Sequence, residues 1–421
     1  MYRYTLRNKA GPGETPPNGQ GSPRFHDRQT ASDNDGAFRR DAPTRLCYAA
    51  IAAYALWLYA SGPAFALLRA ELRLSYTMVG VYSAAWSAGA VMVGLTFAAL
   101  ARRVPRAVLL WSSAAMSTAG VALFAVGQTV ALTLAGDALA GCAGTTLLTC
   151  AQAILSDRHG RHRSRALVEA NVGAAACAVL VPLPLGLLEH SPAGWRATLA
   201  VPALVLAALY LRYRHQRLPA MPAGQSVHGL ARLPLACWLL AGLVAAGIAT
   251  EFCVIYFGAE LLALTGLRTG AAATAMSAFY LGILAGRAGS TWLTRRAGRD
   301  IPLLWISLAV TAAGFLLFWL APTPVPAIVG LFTCGIGVAS LYPLSLALAL
   351  AAAPRNGDAV QAITQLLGGG CVLVAPYLLG SLADRLGLHA AFAIDPVLIG
   401  ISALLLLAGL RVGRRSHSPG P

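Results

Sequence analysis

Residues Leu109–Phe124 read LLWSSAAMSTAGVALF, and residues Leu303–Phe318 read LLWISLAVTAAGFLLF. The two stretches keep Leu109/Leu303, Trp111/Trp305, Ser113/Ser307, Gly120/Gly314 and Phe124/Phe318 in register at a shift of 194 residues. Further along, the same shift pairs Gly141 with Gly335, Pro182 with Pro376 and Gly186 with Gly380. Just upstream the shift is 193, which pairs Gly89 with Gly282 and LARRVPR at 100–106 with LTRRAGR at 293–299. One match between Leu- and Ala-rich stretches carries little weight. A constant shift that preserves Trp, Pro and Gly over several consecutive apolar segments is an internal duplication.

The duplicated segments are long and apolar. Of the 421 residues, 57% are hydrophobic and only 11% charged, too few charges to cover the surface of a water-soluble domain. From Arg45 onward, apolar runs of about 20 residues recur between short polar breaks, the length of a helix crossing the hydrocarbon of a bilayer. The reading is an all-α polytopic membrane protein. Its twelve spans fall at about 46–68, 76–100, 107–128, 130–154, 166–189, 194–212, 233–259, 271–293, 302–321, 326–350, 361–383 and 389–410. Six spans per repeat preserve orientation, so the duplication is parallel. The domain bounds that follow are a tail at 1–44, a six-helix bundle at 45–212, a linker at 213–232, a second bundle at 233–411 and a tail at 412–421.

The net charge of +16 does not point to nucleic acid, because the arginines are dispersed in short interhelical clusters. Lys9 is the only lysine, and with the excess of Ala and Gly this suggests a GC-rich bacterial genome. With both termini in the cytoplasm, the inner loops collect Arg102, Arg103, Arg106, Arg158, Arg161, Arg163, Arg165, Arg212, Arg214, Arg217, Arg232, Arg295, Arg296, Arg299 and Arg355. The outer loops hold only Arg69, Arg73, Arg196, Arg268 and Arg385, as the positive-inside rule requires for a bacterial inner-membrane protein. Residues 1–44 are rich in Pro, Gly, Asp and Asn and lack apolar periodicity, so disorder is expected, and no signal-peptide core precedes a cleavage site. The eight cysteines lie in or beside apolar stretches with no CxxC or Cys/His cluster, so they read as packing residues and no metal or cofactor is expected.

The loop Ala98–Ala107, A-A-L-A-R-R-V-P-R-A, resembles the loop between the second and third spans of the major facilitator superfamily, usually G-x-L-A-D-R-x-G-R-R. Leu100, Ala101, Arg103 and Arg106 match, whereas Ala98, Arg102 and Pro105 replace Gly, Asp and Gly. The second copy, Thr291–Asp300, keeps Leu293, Arg296, Gly298 and Arg299. GWR at Gly194–Arg196 and LYPLSLALALAAAP at Leu341–Pro354 are similar in style to the same family. The resemblance implies twelve helices as two parallel six-helix repeats and transport by rocking of the halves. It also implies a gating role for Arg103, Arg106, Arg296 and Arg299, although the lost acid weakens that role and simple topological anchoring stands beside it.

Ionisable groups inside the hydrocarbon mark functional sites by default. Asp137, placed near the middle of the fourth span, stands four residues before Gly141, where the superfamily often carries Arg. An acid there resembles the proton-coupled sugar symporters, and either a cavity-facing acid or a helix-end acid fits the sequence. Glu251 and Arg287 lie in the seventh and eighth spans, where antiparallel neighbours bring them together as a structural or a coupling pair. Glu169, Glu260 and Asp395 read as solvated helix-end acids. Tyr54, Trp57, Tyr82, Trp86, Gln152, Tyr256, Tyr280, Tyr342, Gln361 and Gln365 are candidates to line a midplane cavity between the repeats.

The function expected is secondary transport of a small organic molecule, coupled to protons and directed to export, by a monomer in the lipid bilayer. An uncoupled facilitator, an uptake symporter for a sugar or organic acid, and a non-transporting scaffold or sensor are the competing readings. An enzyme is not expected, because no HExxH, GxSxG or P-loop motif occurs, and ATP-driven pumping would require another subunit.

Overall fold

The computed structural model describes residues 38–189, 191–192, 194–216, 218, 233–293, 300–353 and 356–415. Among the described residues, twelve helices are long and apolar enough to span a membrane, in agreement with the expected count. In the first half they are α1 (Ala42–Leu72), α2 (Tyr76–Phe97), α3 (Arg106–Val126), α4 (Val130–His159), α5 (Arg165–Leu187) and α6 (Trp195–Tyr213). In the second they are α7 (Leu235–Ala263), α8 (Thr269–Ser290), α9 (Asp300–Leu320), α10 (Pro324–Ala352), α11 (Ala359–Leu386) and α12 (Leu388–Gly413). An even number of crossings puts the start of α1 and the end of α12 at one face of the bundle, the terminal face; the opposite one is the distal face.

Local chemistry sets the helix ends. The Asp41 side chain accepts the Thr44 N–H at the start of α1, Ser75 accepts the Met78 N–H at the start of α2, and Thr129 does the same for Leu132 in α4. Gly160 and Gly387 end α4 and α11 with positive φ of 45° and 84°, conformations that a side chain disfavours. Regular α-helix stops at Leu180 and resumes at Pro182 within α5, whereas Pro343 and Pro376 sit inside unbroken helices. Helix begins at Ala42, four residues before the expected span, so the 1–44 tail ends earlier; residues 1–37, most of the 213–232 linker and residues 416–421 lie outside the described residues.

The duplication has a packing cause. A Cβ on Gly120 of α3 would strike the Ala140 backbone of α4, and one on Gly314 of α9 would strike the Cys334 backbone of α10. Gly136 and Gly330 meet Phe124 and Phe318 in the same way. Gly141 lies against Trp86 and Gly335 against Phe279, while Gly89 and Gly282 meet Cys142 and Ile336. Each is a backbone-to-backbone approach that only Gly permits, as is common where membrane helices pack. Every one of these contacts recurs in the other half at equivalent positions. Copies of the duplicated sequence are therefore copies of one interlocked set of helices.

One core runs through both halves. It joins Trp57, Phe65, Tyr82 and Phe124 of the first half to Tyr256, Tyr280 and Leu379 of the second. A separate core, built from Cys237, Leu240, Leu303, Leu304, Ala353 and Leu406, belongs to the second half alone and lies toward the terminal face. At that face the ion pairs Arg40–Glu169, Arg158–Asp41, Arg106–Asp157 and Arg165–Glu169 all stay within the first half. The halves are fastened to one another at the distal face, where Arg69 of α1 meets Glu260 of α7 at 3.2 Å.

Candidate functional site

Asp137 stands two turns into α4, about 10 Å along the axis from its distal start. This is nearer the distal end than the mid-span depth expected. Its carboxyl is nonetheless completely buried, and neither oxygen meets a hydrogen-bond donor. Tyr82 of α2 and Tyr256 of α7 lie within electrostatic reach of it. A buried polar group without partners costs free energy, and a charged one costs far more. The other repeat shows that the slot does not need an acid. The position 194 residues on is Leu331, also fully buried.

An aromatic layer closes over this acid. Phe65 stacks on Tyr256 with ring centres 5.7 Å apart, and Tyr82 lies 5.3 Å from Phe65. Trp57 packs edge-on to Phe124 at 5.1 Å and lies 6.1 Å from Trp86. The Tyr82 hydroxyl is held by Thr133, one turn before Asp137, and by the Val130 carbonyl, two turns before it. The Trp57 ring N–H and the Tyr256 hydroxyl are buried without a partner; Ser61 lies near Tyr256 but outside hydrogen-bond geometry. An acid and two unused donors therefore border one packed layer between the halves.

The expected cavity-lining residues divide accordingly. Tyr82, Trp86, Tyr256 and Tyr280 are buried in ring-to-ring packing in this arrangement, with a small void beside Tyr280 that Tyr59, Ala175 and Ile283 also line. The physical reason is the distal closure, which presses together surfaces that a cavity would separate. Tyr54, Gln152 and Tyr342 are half-buried and Gln365 is exposed, on stretches of α1, α4, α10 and α11 nearer the terminal face.

Glu251 of α7 and Arg287 of α8 are within electrostatic reach of one another, and Arg287 also acts on the Tyr59 hydroxyl. Tyr280 donates to the Tyr59 carbonyl at 3.1 Å and lies 5.1 Å from its ring, linking α8 to α1 across the halves. Glu251 therefore belongs to a polar group that both halves supply, which neighbouring helices alone did not suggest.

Of the loop arginines, Arg106 is nearly buried and ion-paired with Asp157 of α4, within its own half. Arg103 is exposed at the end of the helix that begins with α2, and Arg296 and Arg299 lie outside the described residues. Glu260 and Asp395 correct the expectation of solvated helix ends. Glu260 is 8% exposed and paired with Arg69, and Asp395 is fully buried beside Cys253. Both acids leave water because the second half folds its distal ends inward against α1 or α7. Arg196, which the sequence marks only as an outer-loop charge and as part of the GWR likeness, organises the distal end of the first half. One of its nitrogens donates to the Phe124, Ala125 and Gly127 carbonyls at 2.8–3.0 Å, and another reaches Glu71 at 3.1 Å. The cue was a lone Arg after Gly–Trp next to an otherwise uncapped helix end.

The model of the Major Facilitator Superfamily matches residues 46–373. Among solved structures, the chain is similar to a bacterial homolog of the human lysosomal transporter Spinster in its inward-facing, occupied form. That similarity has a TM-score of 0.73 at 15% identity, covering 91% of this chain and all of the other. The unoccupied inward-facing form of the same protein gives 0.68 at 14% identity over 91% of this chain and all of that one. The nucleoside transporter NupG gives 0.66 at 15% identity, covering 88% of this chain and 98% of its own.

Proposed function

We propose, starting from the fact that the chain belongs to the Major Facilitator Superfamily, that it is a proton-coupled secondary transporter of a small organic molecule. Its termini lie in the cytoplasm of a bacterial inner membrane, and it works as a monomer by alternating access, with export as its direction. The observation that carries coupling is Asp137, buried with both oxygens unpaired in a slot that the other repeat fills with Leu331. Small-molecule cargo is supported by the transporters that share the fold.

In this reading, the closed aromatic layer demands a neutral carboxyl, because a charge there has no partner. When the halves part at the distal face, the layer opens and Asp137 takes up a proton from the water there, which lets the rings re-pack. Coupling follows when that proton leaves toward the terminal face as the next substrate loads and its donor replaces the proton as partner of the carboxylate. The Trp57 N–H and Tyr256 O–H are the free donors that a substrate acceptor would engage as the layer opens. Glu251, with Arg287 and Tyr59, forms a second polar contact between the halves and transmits the state of one to the other. Export is favoured over sugar uptake because no sugar-specific signature occurs in the sequence.

The test is flux in proteoliposomes from a pooled set of small metabolites and drugs, with and without an imposed pH gradient. Accumulation that collapses with the gradient in the native chain, and is missing in Asp137→Asn, is the expected result. Gradient-independent flux would make the protein a facilitator, and the absence of any flux would favour a scaffold or sensor.

A further inference from the structure

At the distal face, two hydrogen-bond contacts between the halves mirror each other. The Tyr76 and Thr77 N–H groups, the first of α2, donate to Asp384 Oδ1 and Oδ2 at 2.9 and 2.7 Å. Asp384 lies near the distal end of α11, in the other half. The Gly270 N–H, at the start of α8, donates to Glu189 Oε2 at 3.0 Å, and Glu189 follows α5 of the first half. The repeat relates the donors by 193 residues, Thr77 to Gly270, and the acceptors by 195, Glu189 to Asp384. Each half thus lends one acid to the other half's helix start.

These helix starts lack a complete cap of their own. Ser75 serves the Met78 N–H of α2 and leaves Tyr76 and Thr77 to Asp384. Arg268, which precedes α8, has no side-chain acceptor to offer. The first N–H groups of a helix need outside acceptors and favour negative charge. A glycine accompanies each acid one turn earlier. A Cβ on Gly380 would collide with the Tyr76 carbonyl, and one on Gly186 with the Gly270 carbonyl. Gly186 and Gly380 are themselves equivalent in the repeat. The acid supplies the bond, and the glycine supplies the closeness the bond requires.

We propose that Asp384 and Glu189 are positioning residues of the transport cycle, a reciprocal pair of caps whose joint release opens the distal face. The proposal rests on the alternating-access reading above. Asp384 is exposed and Glu189 half-buried, so opening exchanges protein acceptors for water and the release is reversible.

The test needs no substrate. Gln128 and Thr323 are exposed in the distal α3–α4 and α9–α10 connections of opposite halves. Spin labels at Gln128→Cys and Thr323→Cys, with the half-buried Cys142, Cys177 and Cys371 replaced by Ser, report the distal separation in nanodiscs. Asp384→Ala and Glu189→Ala should each raise the ratio of long to short distances roughly tenfold, and together more than either alone. Asp384→Asn, which keeps an acceptor oxygen, should restore the short distance where Ala does not. Gly380→Ala should lengthen it by collision with every carboxylate in place, which covers an alanine variant that fails to fold. Native distances in the folded cap variants would overturn the proposal, as would equal effects of Ala and Asn at 384. A chain that switches distance but moves no solute would retain the caps and refute the transporter reading instead.

Discussion

The Arg69 guanidinium of α1 stands 3.2 Å from Glu260 of α7 and also covers the Tyr76 ring at 3.7 Å. The pair crosses between the halves, and Glu260 is almost wholly removed from water. Removing one partner strands the other, so each single neutral variant should cost about 2–3 kcal/mol, less than a fully buried pair because Arg69 keeps partial exposure. The double variant should cost less than the sum. Thermal unfolding of the four proteins in one detergent checks this, and strict additivity would show that the pair does not act as one.

Asp137→Leu copies the residue that the second repeat places at the same position. It should preserve or raise stability, by on the order of 1–3 kcal/mol, because it removes an unsatisfied buried acid. Gradient-driven accumulation should vanish at the same time. A marked loss of stability would identify Asp137 as a structural group and remove the main support for coupling.

Glu251→Gln and Arg287→Met should each impair flux more than the double variant does, since each alone leaves its partner charge without compensation. Flux measured for all four combinations decides it. A double variant no better than the worse single one would mean that the two act separately.

Asp41 titrates at the membrane edge. Partial burial pushes its carboxyl up, but hydrogen bonds from Arg158 and Thr44 outweigh this and hold it below the ordinary carboxylate range. A depressed folded pKa stabilises above the unfolded value, and that stabilisation is lost as pH falls through the folded one. Asp41→Ala should therefore cost about 1 kcal/mol near neutrality. The gap to the native protein should narrow as the pH drops below the carboxylate range. Unfolding midpoints across an acid series report it, and a gap that stays constant would contradict the linkage.

The spans and the duplication were legible because both are local: apolar length sets one, and glycines at fixed spacing set the other. Gly120/Gly314 and Gly141/Gly335 recur in sequence since the same backbones touch in each half. Asp137 also stood out, as an acid inside an apolar run. What could not be read depends on partners far along the chain. Asp384 resembles any helix-end acid until α2, 307 residues away, is placed against it. Glu260 and Asp395 read as solvated because their burial comes from partners distant in sequence, Arg69 of the other half for Glu260 and α7 of the same half for Asp395. The aromatic candidates were found by type, but whether rings line a space or fill it depends on which face of the bundle is shut.

The exchange of acids between α11 and α2, and between α5 and α8, has the form of an isologous interface, in which residue i of one subunit meets j of its partner while j meets i. A six-helix chain bearing one such acid and one such helix start would make both contacts at once on pairing with a second copy about the same axis. The two halves thus keep the self-complementarity of a homodimer inside a single polypeptide.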